Sequence, residues 1–95
     1  MELNQLQPKE VFDCFAQVNQ VPRPSKREEK MIAFLVDFGK KLQLPTKVDE
    51  TGNVLISKPA TPGYENRKTV VLQSHMDMVC DKNAATTFDF DVDAI

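Results

Sequence analysis

The sequence predicts an α/β fold: two N-terminal helices, a β-hairpin and a central apolar strand. Three observations predict it. Apolar residues recur at helical spacing in two N-terminal stretches. Two short extended runs flank Thr51-Gly52-Asn53. Finally, Val70-Val71-Leu72-Gln73 makes a short, β-branched-rich run after a polar loop.

The first helix is predicted over Pro8–Asn19. Proline suits the first helical turn, where its missing N–H is not needed, and Val11, Phe12, Phe15 and Val18 share one face. Cys14, inside that pattern, reads as a small buried thiol. Val21-Pro22-Arg23-Pro24 is then extended, because each proline disfavours helix in the residue before it. The second helix is predicted to start at a capping box, Ser25-Lys26-Arg27-Glu28, whose hydroxyl and carboxylate each take an orphan backbone donor. Met31, Phe34, Leu35, Phe38 and Leu42 follow at helical spacing, with Ile32 widening the stripe, and read as core. Lys40 and Lys41 suit the negative end of the helix dipole, and Pro45 marks the stop.

Lys47-Val48-Asp49-Glu50 and Val54-Leu55-Ile56-Ser57 are expected to pair as a hairpin turning on Gly52-Asn53. Pro59 to Lys68, with Pro59, Pro62, Gly63 and Asn66, reads as a surface loop. Val70–Gln73 then has the character of a central strand covered on both faces. Two helices and a hairpin give it one cover and one neighbour, so the chain is expected to be the first part of a larger domain. After Cys80, Phe88, Phe90, Val92 and Ile95 are spaced among aspartates without a clear period. Asp89-x-Asp91-x-Asp93 lacks the glycine and distal glutamate of an EF-hand and reads as solvated loop.

Ninety-five residues make one small domain at most. With 41% hydrophobic and 27% charged residues the composition is globular, and a net charge of −2 gives no electrostatic case for nucleic acid or an anionic membrane. Seven basic and three acidic side chains lie between Arg23 and Lys47, a concentration assigned to a solvated helix face. Cys14 and Cys80 make neither a disulfide framework nor the Cys-x-x-Cys pair of a structural zinc site. Met1 to Pro8 lack the basic start and apolar run of a signal peptide, and no apolar stretch approaches membrane-spanning length. The expected residence is cytoplasmic.

The only histidine, His75, lies at the carboxyl end of the apolar strand, with Asp77 two residues on. Residues i and i+2 of an extended chain project from one face. The pair suits a metal-ligating imidazole held by a carboxylate, or a general base with its orienting group. Strand carboxyl ends are where catalytic residues collect in open α/β sheets. A catalytic zinc takes three protein ligands plus water, and a two-metal site shares more than three. One histidine among scattered aspartates does not complete either. Ser74 points to the opposite face from His75, and no Gly-x-Ser-x-Gly elbow is present.

Gln73-Ser74-His75-Met76-Asp77-Met78-Val79 after an apolar strand resembles the first metal-binding motif of the two-zinc aminopeptidase and dipeptidase clan. The nearest likeness is its aminoacyl-histidine dipeptidase (peptidase D) branch, related to carnosinases. Val21-Pro22-Arg23-Pro24-Ser25 followed by Glu28-Glu29 resembles the family's segment between its first two helices. Asp49 to Ile56 resembles its first hairpin, and Lys58-Pro59-Ala60 with Glu65-Asn66-Arg67 the loop before the motif strand. Asp89-Phe90 followed by Asp93-x-Ile95 resembles the segment after it, although Val92 and Ala94 stand where relatives often carry lysine and proline.

The resemblance implies that residues 1–95 are the N-terminal portion of a metallopeptidase catalytic domain, an α/β sandwich. It implies two Zn2+ per complete site, with His75 ligating one and Asp77 behind it, accepting a hydrogen bond from the imidazole and fixing its tautomer. The parent is then a cytosolic dipeptidase hydrolysing unblocked dipeptides, aminoacyl-histidine included, with a water activated by two metals. The bridging aspartate, the paired glutamates and the remaining ligands of the family have no counterparts here, so the chain alone is expected to be inactive. Self-association of the fragment is expected because the edges and faces of half a sheet are otherwise exposed; the other expectation is a homodimer of the parent. The competing reading is a small non-enzymatic α+β interaction module in which His75 is structural. A buried His75 satisfied by backbone groups favours the module; His75 and Asp77 hydrogen-bonded and exposed at the rim of a sheet favour the enzyme.

Overall fold

A computed structural model describes residues 2–94; Met1 and Ile95, both used in the sequence reading, lie outside the described residues. A short 3-10 turn, Leu3–Gln5, precedes helix α1, Lys9–Asn19. Pro8 sits just before the first turn of α1, as its missing donor favours. An exposed ion pair, Lys9 Nζ to Asp13 Oδ2 at 2.6 Å, spans one turn of that helix. The expected apolar face is only partly used: Phe12 and Val18 are half-buried, while Val11 and Phe15 are 59% and 51% exposed. Cys14 is exposed too, which corrects the expected buried thiol. Its helical pattern is real, but no described residues cover that face.

Helix α2 spans Glu29–Lys41, beginning at Glu29 rather than directly after Ser25. A turn intervenes: Arg27 N–H donates to Pro24 O at 2.9 Å, Lys26 takes φ 69°, and Lys26 N–H donates to Glu28 Oε1 at 2.8 Å. Ser25 therefore does not cap α2, a correction to the capping-box reading. Met31 is fully buried at 2% exposure. Phe34, Leu35 and Phe38 are half-buried, with the Phe34 and Phe38 rings stacked at 6.4 Å, and Leu42 is exposed.

The end of α2 is closed by two backbone bonds: Leu44 N–H to Gly39 O at 3.0 Å and Gln43 N–H to Lys40 O at 2.9 Å. Gln43 adopts φ 58°. This nested pair around a left-handed residue is a Schellman motif, which satisfies carbonyls that the helix leaves orphaned. Pro45 follows, and the chain enters strand β1, Thr46–Val48, paired antiparallel with β2, Val54–Ile56. The register is Thr46↔Ile56, Lys47↔Leu55 and Val48↔Val54. A Cβ at Gly39 would run into Thr46 Oγ1 and lie 3.3 Å from Ile56 Cγ1, so this glycine is what lets α2 approach the hairpin closely. The hairpin is the predicted one, but Asp49 leaves the strand and enters the loop, where Gly52 supplies φ 98°.

The described residues fall into two compact units: those up to Met31 together with those from Met76 onward, and Ile32–His75. In the second unit an open groove of about 520 Å³ runs between residues 55–61 and 69–72. Val70, Val71 and Leu72 are 79%, 75% and 94% exposed and form no ladder. The buried central strand expected over Val70–Gln73 is thus absent among the described residues. A strand of that kind exists only with a neighbour to share its hydrogen bonds, and none of these residues supplies one.

Candidate functional site

The segment carrying the predicted site residues crosses from one unit to the other. His75 closes the second unit and is exposed; Asp77 belongs to the first and is half-buried. Neither stands without a partner.

Asp77 is held from the far end of its unit. The next residue, Met78, forms a parallel bridge with Pro24. Its N–H donates to Arg23 O at 2.9 Å, and its carbonyl accepts from Ser25 N–H at 3.2 Å. That register brings Ser25 alongside Asp77, and Ser25 Oγ donates to Asp77 Oδ2 at 2.6 Å. The bridge forms because Pro22 and Pro24 keep the chain extended, leaving the Arg23 carbonyl and the Ser25 N–H to reach Met78. Proline lacks the donor a strand interior needs. At Pro24 the pairing runs through its two neighbours, so the missing N–H is not missed.

Arg23 anchors this arrangement. It is buried at 8% exposure, and its guanidinium donates to Val18 O at 2.7 Å and Val21 O at 3.1 Å, satisfying carbonyls at the end of α1. Desolvation draws its pKa below the ordinary arginine value, though a guanidinium stays charged in proteins. The assignment of the whole Arg23–Lys47 basic stretch to a solvated face is corrected at this residue.

The acidic run expected as solvated loop is a hydrogen-bonded turn. Asp91 N–H donates to Asp89 Oδ1 at 3.0 Å, and Asp89 N–H to Asp93 Oδ2 at 2.7 Å. Arg27 pairs with the Asp91 carboxylate at 2.9 Å, and Lys30 Nζ donates to Asp91 O at 2.7 Å. These carboxylates are engaged with the chain itself. Cys80 is an exposed free thiol.

Sequence reasoning singled out His75 and Asp77 but did not foresee the Ser25–Asp77 contact, whose partners lie 52 residues apart and leave no local signal. It also missed the buried role of Arg23. The one available sign was the proline on either side, which forbids the helix that a solvated face assumes.

No family model matches the chain. It is 47% identical over 94 residues to the cytosol non-specific dipeptidase of Escherichia coli (strain K12), a match covering 99% of this chain and 19% of that protein. The crystal structure of aminoacylhistidine dipeptidase from Vibrio alginolyticus matches with a TM-score of 0.95 at 43% identity, covering 100% of this chain and 19% of that one. The chain resembles aminoacylhistidine dipeptidase throughout. It spans about a fifth of the length of the dipeptidases it matches. The α/β class is the expected one: two helices and an antiparallel two-stranded sheet match part of a dipeptidase structure. Both relatives are dipeptidases by name, hence hydrolases.

Dipeptidases of this kind are metal-dependent in general, which sets a requirement on the side chains. Among the described residues no three His, Cys, Asp or Glu side chains come together as a metal site. An exposed imidazole is a suitable single ligand. His75 therefore fits one corner of such a site and cannot make the site by itself.

Proposed function

We propose that the chain is the N-terminal portion of the catalytic domain of a cytosolic zinc dipeptidase that hydrolyses unblocked dipeptides, aminoacyl-histidine among them. The observation that carries this reading is the match over the whole chain, 43% identical with a TM-score of 0.95, to an aminoacylhistidine dipeptidase. In this reading His75 is one zinc ligand, and Asp77 holds the imidazole from behind and fixes which ring nitrogen faces the metal. The remaining ligands and the general base come from residues outside this chain. Two zinc ions, once bound, supply the activated water and the positive charge against which the scissile carbonyl is polarised. What this chain contributes is the placement of one imidazole and of the carboxylate behind it. Cytoplasmic residence is supported by the name of the Escherichia coli relative, and no helix among the described residues is long and apolar enough to cross a membrane.

His75 is exposed, but no sheet rim forms around it among the described residues, so activity and not exposure separates this reading from an interaction module with a structural histidine. The test is hydrolysis of an unblocked Xaa-His dipeptide. The protein at its natural length is expected to turn the substrate over, to lose activity to a chelator and to regain it with zinc. The 95-residue chain alone is expected to show none of this. Zinc-restored turnover by the 95-residue chain would contradict the partial-site account, and no turnover at natural length would contradict the dipeptidase reading.

A further inference from the structure

The hydroxyl of Ser25 meets the carboxylate of Asp77 at 2.6 Å, short for an O–H···O bond and in the range of a charge-assisted one. We propose that Ser25 is a positioning residue for the zinc site: it fixes the rotation of the Asp77 carboxylate so that the carboxylate can orient His75. This inference rests on the dipeptidase reading above and adds to it a residue of the Val21–Ser25 segment.

Four features of the first unit support the assignment. The first is chemical. A carboxylate has about four acceptor positions, so a hydroxyl on Oδ2 leaves capacity for an imidazole N–H on the same group. The second is steric. A short aspartate has a broad, soft χ2 torsion, and a strong donor at a fixed place narrows the range of carboxylate planes.

The third feature is that the donor is itself fixed. Ser25 is tied through its backbone N–H to Met78 O at 3.2 Å, and its neighbour Pro24 is buried. Arg23, one residue further back, accepts from Met78 N–H at 2.9 Å and is clamped to the Val18 and Val21 carbonyls. Helix α1 is thereby connected through Arg23 and the Pro24–Met78 bridge to the oxygen that Asp77 meets. The fourth feature is what Ser25 does not do. A serine just before a helix normally spends its hydroxyl on a backbone donor of the first turn. Here α2 starts only at Glu29, and Glu28 takes the Lys26 N–H instead. The hydroxyl is directed at Asp77, with a longer contact of 3.3 Å to Met78 O.

The test compares Ser25→Ala, Ser25→Cys, Ser25→Thr and His75→Ala in the protein at its natural length. It reads zinc affinity by competition with a chromophoric chelator, together with kcat, KM and the thermal midpoint. Groups that orient a metal ligand typically cost 10- to 100-fold in metal affinity or activity when removed. Ser25→Ala and Ser25→Cys are therefore expected to weaken zinc binding about 10-fold or more and to lower kcat with KM little changed. Ser25→Thr, which keeps the hydroxyl, is expected to restore both.

A purely structural role for Ser25 would lower the thermal midpoint while zinc affinity stayed at the wild-type value, and that result overturns the proposal. So does the same zinc affinity for the Thr and Cys variants, which covers the case of an Ala variant that fails to fold. If His75→Ala also leaves zinc affinity unchanged, the dipeptidase reading itself fails. If His75→Ala loses zinc and Ser25→Cys does not, only the Ser25 assignment fails.

Discussion

Asp49 is exposed, yet its carboxylate is tied into the loop that follows it. It accepts from the Asn53 side-chain amide at 2.8 Å and from the Thr51 and Asn53 backbone N–H groups at 2.9 Å each. Those bonds favour the charged form, the Asn53 amide most, and hold the Asp49 pKa below the ordinary carboxylate value. The linkage has a definite sign. Folding lowers this pKa, so the turn gains support above the ordinary value near 3.9. That support is lost as pH falls through the lowered value. Acidification from pH 6 towards pH 3 is therefore expected to expose the Thr51, Gly52 and Asn53 amides to exchange. In Asp49→Asn the same amides should show no pH-dependent loss beyond the intrinsic exchange rate. An equal acid-dependent opening in Asp49→Asn would remove the carboxylate from the account. The residue was legible in part: Gly52-Asn53 announced the turn, whereas periodicity placed Asp49 in the strand before it. Residues that cap a loop through side-chain acceptors carry no periodic signature.

Among the elements, the end of α2 is where local chemistry and observed geometry can be improved most simply. Gln43 holds φ 58° in the Schellman motif, a region where an L side chain is strained and glycine is not. Gln43→Gly is expected to stabilise the chain by about 0.5–1 kcal/mol, less whatever flexibility glycine adds to the unfolded state. Chemical denaturation with an unchanged slope checks this, and a destabilisation of similar size would contradict the capping geometry. The stop at Pro45 and the last-turn lysines were readable because capping is local. The start was misread for the opposite reason. Ser25-x-x-Glu28 has the spacing of a capping box, but the hydroxyl donates to a carboxylate 52 residues on and caps no helix amide. Elements set by neighbours in sequence were legible; a hydroxyl contested by a distant charge was not. Likewise the hairpin needed only its own turn, whereas the apolar run after residue 69 needed a ladder partner from elsewhere.

On the scale of the whole molecule the dominant fact is uncovered apolar surface. Val70, Val71 and Leu72 lie 75–94% exposed in succession, and the Val11 and Phe15 side of α1 is open as well. An unpaired, apolar, extended run is a template for another chain. The 95-residue chain by itself is expected to self-associate at micromolar to millimolar concentration, and Leu72→Lys to shift it towards monomer in sedimentation velocity. A monodisperse wild-type monomer with a cooperative melt would contradict this. In the dipeptidase reading the same run is covered by further strands of the longer protein, and His75 at its end meets its fellow ligands there.

That claim is open to direct inspection by zinc-edge anomalous diffraction from crystals of the zinc-loaded protein at its natural length. The account predicts an anomalous peak about 2.0–2.1 Å from one ring nitrogen of His75, with the other nitrogen donating to Asp77 and Ser25 Oγ still on the Asp77 carboxylate. A fully occupied zinc site that excludes His75 would contradict it.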